Sequence, residues 1–355
     1  MGKDKLSKVL MIIDHAPDYR EDFFRELGKK VDLTVVAQPC EPDSLIPPIK
    51  RYGYTYIEKP SKKLFGIIWQ RDLKTILNKE KWDIICCDLN LRHLKRVILF
   101  LCNSVFWNRW IWRGQIFGKN KSWFLDKIRN FLLKKSGGCL VYTDEIAENV
   151  QRKFGVKAYS FNNTQVKEKD FRKGIFDNHS GIRLLFVGRN QPRKKLERLV
   201  QLATRREDVS IKMIGPGMHN IAIPEFIKNS GKIKRYGYMI GNELNQHFDW
   251  ADMVINPGHV GLLALNSAKH GKSIVIDSKS QHAPEYIIAK DANQPFIAFD
   301  DDKEVDQFID DIIKNRWKLE KWGTELQNLA KEKYTIEYMA EVHHKVFNIV
   351  HQNLN

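Results

Sequence analysis

Short apolar runs alternate with helix-length stretches along this chain, pause once over residues 166–181, and then begin again. Val9 to Ile13, Val31 to Ala37 and Asp83 to Cys87 read as strands, and helical patterns lie between them over Asp22 to Lys30 and Trp69 to Asn78. A continuous Val/Ile/Leu run suits a strand covered on both faces, and strand–helix–strand order requires parallel pairing with helices packed on the sheet. The pattern continues through Trp110-Ile-Trp112, a helix near Ser122 to Lys135, Gly138 to Tyr142, and a helix entered at Thr143-Asp-Glu-Ile with Thr or Asp as N-cap. After the polar pause, Leu184 to Val187, Val209 to Ile214, Met253 to Ile255, Ser273 to Ile276 and Pro295 to Ala298 are the expected strands. A chain of 355 residues is too long for one ordinary core, so two α/β domains are expected, 1–168 and 169–335. A final helix, 336–355, carries an apolar stripe of Ile336, Met339, Ala340, Val342, Val346, Phe347 and Val350 that could cover either domain.

Composition narrows the partners. Hydrophobic residues make up 43% of the chain, which argues against wholesale disorder. Lys and Arg total 59 against 43 Asp and Glu, a net charge of +16, so anionic partners are favoured: nucleic acid, phosphorylated small molecules or an anionic membrane face. Cys40, Cys86, Cys87, Cys102 and Cys139 form no C-x-x-C pair and read as reduced core residues, with no zinc site. The start, Met1-Gly-Lys-Asp-Lys-Leu-Ser-Lys, lacks a secretory pattern, and the longest apolar stretch, Val97 to Trp107, is broken by Asn103 and Ser104. A cytoplasmic protein, peripheral at the inner face of the plasma membrane, is the expectation.

The sharpest chemistry lies where the second domain begins. Leu184 to Val187 ends in Gly188-Arg189, and Lys194 follows before the next helix. Glycine permits a tight exit from the strand, and the two cations stand where a diphosphate would sit; solvated charges on an ordinary strand-to-helix loop are the alternative. Ile214-Gly-Pro-Gly217 ends the second strand. Further on come Asn256-Pro-Gly-His-Val-Gly261, a helix to Gly271, the strand Ser273 to Ile276, and Ala283-Pro-Glu285. In the first domain Ala16-Pro-Asp-Tyr-Arg-Glu-Asp-Phe-Phe24 follows strand one, and Trp112-Arg-Gly114 ends a later strand.

In this order the elements resemble the GT-B fold glycosyltransferases, and the second half is similar to the family 4 retaining enzymes of bacterial surface-polysaccharide synthesis. The resemblance implies two Rossmann-like domains facing each other across a cleft. It implies a donor site on Gly188, Arg189, Lys194, Gly215 and Gly217, continued by Gly258, His259, Val260, Gly261, Leu262, Asn266 and Glu285. Arg189 could fork across two phosphate oxygens while Lys194 acts as a point charge, neutralising the leaving diphosphate as its bond to the sugar breaks. Backbone N–H groups of Pro257 to Gly261 could point at the same diphosphate from a helix entry, or the glycines could serve conformation alone. Asn266 and Glu285 could hold ribose or sugar hydroxyls; a solvated Asn and a Glu stabilising its own helix are the plainer readings.

One departure is marked. The family's paired glutamates, eight positions apart, would fall on Gly258 and Asn266, so the donor sugar must be held differently, through Asn266, His259 or Glu285. In the first domain His15 and Asp88 end strands at the expected carboxyl edge, with Asp14 close by, and are expected as catalytic residues beside Arg189 and Lys194, Asp88 orienting an acceptor hydroxyl or acting as base; an Asp that caps a helix is the alternative at 88. Tyr19, Arg20, Arg113 and Gly114 are expected to contact the acceptor, with Arg20 suited to a lipid diphosphate. Asp300-Asp-Asp302 reads as a helix cap, and no metal site is expected.

A basic aromatic belt occupies the first domain. Trp69, Trp107, Trp110, Trp112 and Trp123 are interleaved with Arg92, Lys95, Arg96, Arg109, Arg113 and Lys119, and with Lys121, Lys127, Arg129, Lys134 and Lys135. A helix over Lys121 to Lys135 with Trp123, Phe124, Ile128, Phe131 and Leu132 on one side suits an anionic membrane interface, unless the aromatics are core. No nucleic-acid motif is present, and no nucleic-acid partner is expected. The expected function is metal-independent transfer, in the retaining sense, of a hexose or N-acetylhexosamine from a nucleotide sugar, UDP-linked ahead of GDP-linked, to a lipid-linked or oligosaccharide acceptor in surface-polysaccharide synthesis. An inverting or other GT-B transferase, or an inactive sugar-nucleotide-binding module, is the alternative. No cofactor is expected.

Overall fold

A computed structural model describes residues 6–39, 50–118 and 122–354. Cys40, Lys119 and Lys121 lie outside the described residues, as do the first five residues. The chain packs into two compact units, residues 1–165 with 336–355, and residues 166–335.

The first unit carries β1 (Lys8–His15), β2 (Asp32–Gln38), β3 (Thr55–Glu58), β4 (Ser61–Leu64), β5 (Ile67–Gln70), β6 (Ile84–Asp88), β7 (Trp110–Gly114), β8 (Gly138–Val141) and β9 (Tyr159–Ser160). Seven of them form a parallel sheet in the order β3-β2-β1-β6-β7-β8-β9. Along β1 the residues alternate between two cores: Val9, Met11 and Ile13 pack with Phe23, Leu27 and Phe347, while Leu10 and Ile12 pack with Trp110, Trp112 and Leu132. That alternation explains the unbroken apolar run, because both faces of the strand are covered. Helix Ile336–Gln352 closes the first of these cores, burying Ile336, Met339, Ala340, Val346, Phe347 and Val350 there. The end of the chain therefore returns to the unit in which it began.

The second unit carries β10 (Ile182–Val187), β11 (Val209–Ile214), β12 (Ile233–Tyr236), β13 (Met253–Asn256), β14 (Ser273–Asp277) and β15 (Phe296–Ile297). They form a parallel sheet in the order β12-β11-β10-β13-β14-β15 around a single core. In each sheet the strand order reverses once, between β1 and β6 and between β10 and β13, and the carboxyl ends at such a reversal are where open α/β sheets bind ligands.

Several sequence expectations need correction. Trp69 to Asn78 is not one helix: Ile67–Gln70 pairs antiparallel with Ser61–Leu64, and the helix is Leu73–Lys79. Phe65 and Gly66 turn this hairpin with φ of 46° and 81°, and Asp72 breaks the chain again at φ 57°. Trp110 and Trp112 of the basic aromatic belt are fully buried, whereas Cys102, expected in the core, is exposed. Where caps were expected, Thr143 Oγ1 accepts from the Ile146 N–H at 3.3 Å, and Asp301 Oδ1 accepts from the Lys303 and Glu304 N–H groups.

Candidate functional site

At the exit of β10 the backbone is fixed by its neighbour. The Gly188 N–H donates to Ile214 O at 2.9 Å and the Asn190 N–H to Pro216 O at 2.9 Å, so the two strand exits run side by side. Gly215 has φ 140°, and a Cβ there would lie 1.9 Å from Gly188 O. Only glycine fits. Gly217, at φ 78°, accepts a hydrogen bond from Asn190 Nδ2 at 3.0 Å. Arg189 is exposed on this loop, and the turn Pro192–Lys194 brings Lys194 back toward the sheet edge. Lys194 Nζ donates to His259 O at 2.5 Å, tying the loop after β10 to the loop after β13 across the strand-order reversal. Burial, reinforced by the Arg193 charge, pulls the Lys194 ammonium down to about 8.

The loop after β13 is built from its own polar groups. Asn256, fully buried, accepts from the Gly258 N–H at 3.2 Å and donates from Nδ2 to His259 O at 3.4 Å. The His259 N–H donates to Arg193 O at 2.8 Å and the Val260 N–H to His282 Nδ1 at 3.2 Å. These three amides are spent inside the protein, and the following helix, Leu263–Lys269, has seven residues. The expected cradle of loop N–H groups therefore narrows to the positions after Val260. A Cβ on Gly258 would lie 2.4 Å from Arg193 O, so the closeness of the two loops excludes any side chain there, glutamate included. Gly261 and the half-buried Leu262 lead into the helix, on which Asn266 is half-buried.

A third loop, after β14, completes the cluster. His282 Nε2 donates to Asp277 O at 2.9 Å while its Nδ1 accepts from Val260, which fixes the neutral tautomer. Buried Asp277 is held by Lys195 Nζ at 2.8 Å and Ser280 Oγ at 2.5 Å, and these contacts outweigh burial to hold its carboxyl below the usual range. The Ala283 N–H donates to Val260 O at 2.9 Å, and Glu285 follows in the turn Pro284–Tyr286. Burial lowers the His259 imidazole, with Arg193 and Lys194 adding to the effect and Glu285 opposing it, so these side chains share one neighbourhood. Asn256, Asp277, Lys195 and His282 were not legible as site residues. Asn-Pro-Gly is a turn signature that could have flagged the first. Among the described residues no group of three His, Cys, Asp or Glu is placed to hold a metal ion.

The first unit has a second polar cluster at its own strand-order reversal. The Asp14 N–H donates to Asp88 Oδ2 at 3.2 Å, and Asp14 accepts from Arg96 at 2.6 Å and from Asn90 Nδ2 at 3.3 Å. His93 Nε2 lies 3.0 Å from Asp14 Oδ1 without hydrogen-bond geometry. Although burial works against it, the Arg96 charge and the hydrogen bonds from Asn90 and Arg96 hold the Asp14 carboxyl low. Asp88 also accepts from Arg113 at 2.8 Å, and the other side of that guanidinium donates from Nε to His343 Nε2 at 3.2 Å. His343 Nδ1 lies 2.7 Å from Met339 O; burial first, and the Arg113 charge next, keep this imidazole neutral. Helix Ile336–Gln352 thus supplies a residue to this cluster that only its return to the first unit makes visible. A cavity of about 570 Å³ opens here, lined among others by Asp14, Asp88, Asn90, Arg113, Gly114 and Tyr142. His15 is exposed at the end of β1. Tyr19 is 40% exposed, but Arg20, expected to face an acceptor, is only 8% exposed, stacked on Tyr19 at 5.3 Å and 4.0 Å from Met339 Sδ.

No family model matches the chain, and no curated protein does. Solved structures match over nearly all of it. Sucrose-phosphate synthase from Thermosynechococcus elongatus superposes with a TM-score of 0.68 at 13% identity, covering 96% of this chain and 98% of that one. The fold is that of the GT-B glycosyltransferases. Anabaena HepE in complex with UDP gives a TM-score of 0.64 at 12% identity, over 94% of this chain and 97% of its own. WaaG, a glycosyltransferase involved in lipopolysaccharide biosynthesis, gives 0.55 at 11% identity, over 96% and 99%.

Proposed function

We propose that this chain is a glycosyltransferase that takes a hexose or N-acetylhexosamine from a nucleoside-diphosphate sugar, UDP-linked ahead of GDP-linked, and passes it to a glycan in surface-polysaccharide synthesis. The observation that carries this reading is the Lys194–His259 bond across the β10/β13 reversal, with Arg189 on the same loop. The likeness in fold to HepE, solved with UDP, supports it. As the glycosidic bond breaks, negative charge gathers on the diphosphate oxygen, and cations already in place stabilise it without reorganising. Lys194 offers a desolvated ammonium and Arg189 a planar fork, so this chain's own cations serve the role a metal could play. With position 258 closed to any side chain, His259, Asn266 and Glu285 fall to the donor sugar and ribose.

The acceptor belongs to the first unit in this reading. Asp14, Asp88 and Asn90 offer carboxylate and amide partners for sugar hydroxyls around the cavity, with Arg113 and Gly114 in its wall and His15 and Tyr19 exposed on the same unit. Asp88 accepts one hydrogen bond on each oxygen, from the Asp14 N–H and from Arg113, which fixes the carboxylate to orient an acceptor hydroxyl or to act as its base. A lipid-linked acceptor, met at an anionic membrane surface on the cytoplasmic side, fits the net charge of +16. Transfer with retention is part of the proposal; the closure of Gly258 favours inversion as the second reading, and the anomeric configuration of the product by NMR separates them. Hydrolysis of UDP-, GDP- and ADP-sugars in the presence of a chelator, beside Arg189→Ala, tests the whole. Turnover that collapses in the variant supports it, and absence of turnover with any donor overturns it.

A further inference from the structure

The hairpin β4–β5 stands outside both main sheets, and its tip is apolar. Phe65 is 95% exposed, Leu64 68% and Ile67 44%, and Lys62 and Lys63 flank them. A phenyl ring held open to water on a short hairpin is a cost that folding does not require. The hairpin is nevertheless held firmly along its second strand and at its turn: the Ile68 N–H donates to Arg92 O at 2.7 Å, Arg92 Nε donates to Gly66 O at 2.9 Å, and Lys95 lies 4.8 Å over the Trp69 ring.

Those contacts join the hairpin to helix Leu94–Cys102, and the chain of aromatic and basic residues goes on from there. Trp107 Nε1 donates to Phe100 O at 2.7 Å, the Trp107 ring meets Phe131 edge-on at 5.8 Å, and Lys135 lies 5.7 Å over it. On helix Trp123–Lys135, Trp123 is 70% exposed with Lys127 over its ring at 4.2 Å, and Phe124 is 60% exposed. From Leu89 to Thr143 the sequence holds eleven Lys and Arg against one carboxylate, Asp126. Aromatic rings beside lysine ammoniums with almost no opposing charge are complementary to the boundary of an anionic bilayer, where rings enter the acyl region and cations stay at the headgroups.

We propose that the Ser61–Gln70 hairpin is a membrane-entry element: its Leu64–Ile67 tip inserts into an anionic lipid surface, and the Lys62, Lys63, Lys95 and Lys127 side chains engage the headgroups. This deepens the membrane part of the function proposed above, moving the point of insertion from the helix near Lys121 to Lys135 to the hairpin, and does not depend on which sugar is transferred.

The test is flotation of the full chain with vesicles of phosphatidylcholine alone or with one third phosphatidylglycerol. The anionic vesicles should carry the protein and the neutral ones should not, and binding should weaken as salt rises. Phe65→Ser should lower the partition coefficient at least tenfold, and the Lys62→Glu, Lys63→Glu pair should do the same. Phe226→Ser, which removes an aromatic that is 59% exposed on the second unit, should leave binding unchanged. Thermal unfolding of Phe65→Ser should match the parent, because the removed ring packs against nothing. Binding by Phe65→Ser equal to the parent, or equal binding to both vesicle types, overturns the proposal. So does light scattering that shows a dimer dissolved by Phe65→Ser, which would make the tip a contact between copies. Flotation uses no sugar nucleotide, so its failure and a failure of donor turnover are read separately.

Discussion

Replacing Lys194 by methionine should make the second unit more stable while removing its donor site. Methionine keeps the length of the stem and drops the charge. Holding the ammonium in a partly buried place moves its titration from 10.5 to about 8, chiefly through burial, which corresponds to about 3 kcal/mol against the charged form. The bond from Nζ to His259 O returns about 1 kcal/mol of that. The net gain on substitution is then about 2 kcal/mol, or roughly 4–8 °C in the melting temperature of a unit this size. The sign with pH follows from linkage. The folded state gives up its proton more readily than the unfolded chain, so the penalty is fully present below about pH 8 and relieved as pH rises toward 10.5. The gap between variant and parent should therefore shrink between about pH 7 and pH 10, which scanning calorimetry of both proteins at several pH values would read. A variant less stable than the parent at neutral pH, or a gap that ignores pH, would refute the argument that Lys194 is a charge held at a cost for a ligand.

Gly215→Ala should unfold or loosen the β10 exit at a cost of at least about 2 kcal/mol by denaturant titration, since a Cβ at φ 140° would meet Gly188 O. Acid should destabilise the protein early: burial pulls His93 to about 4 and His270 to about 3, and holds His343 well below the ordinary imidazole range. The unfolded chain binds those protons from about pH 6.5 downward while the folded one refuses them, so stability should fall between pH 6.5 and 4, a slope that His270→Gln should flatten in unfolding titrations. His343→Leu removes the acceptor for Arg113 Nε and should cost the first unit about 1–3 kcal/mol by the same titration.

What could be read from the sequence was the part carried by local pattern. Val209–Ile214 is a strand because Val209, Ile211 and Met213 recur at every second position with Ser210 and Lys212 between them, and Thr143 caps a helix because its hydroxyl reaches an amide three residues on. The hairpin escapes a reading by pattern because Trp69 stands at helical spacing from Leu73, Ile76 and Leu77, and because a phenylalanine at positive φ is a poor advertisement for a turn. β12 passed unnoticed since Lys234 and Arg235 interrupt its apolar signal. In the sites, the glycines at 215 and 217 stood out by type and spacing, but His343 could not: its partner Arg113 is 230 positions away, and nothing in a helical stripe marks one buried histidine as an acceptor. Arg20 shows the reverse failure, where a position suited to a ligand by sequence is covered by the packing of Tyr19 and Met339.

Calorimetric titration of UDP into the parent protein, Arg189→Ala and Lys194→Met tests the donor site most directly. The account predicts measurable binding by the parent, a loss of tenfold or more in each variant, and weaker binding by the parent at pH 9.5 than at pH 7 as Lys194 gives up its proton. Absence of UDP binding by the parent, or binding untouched by both substitutions, would contradict it.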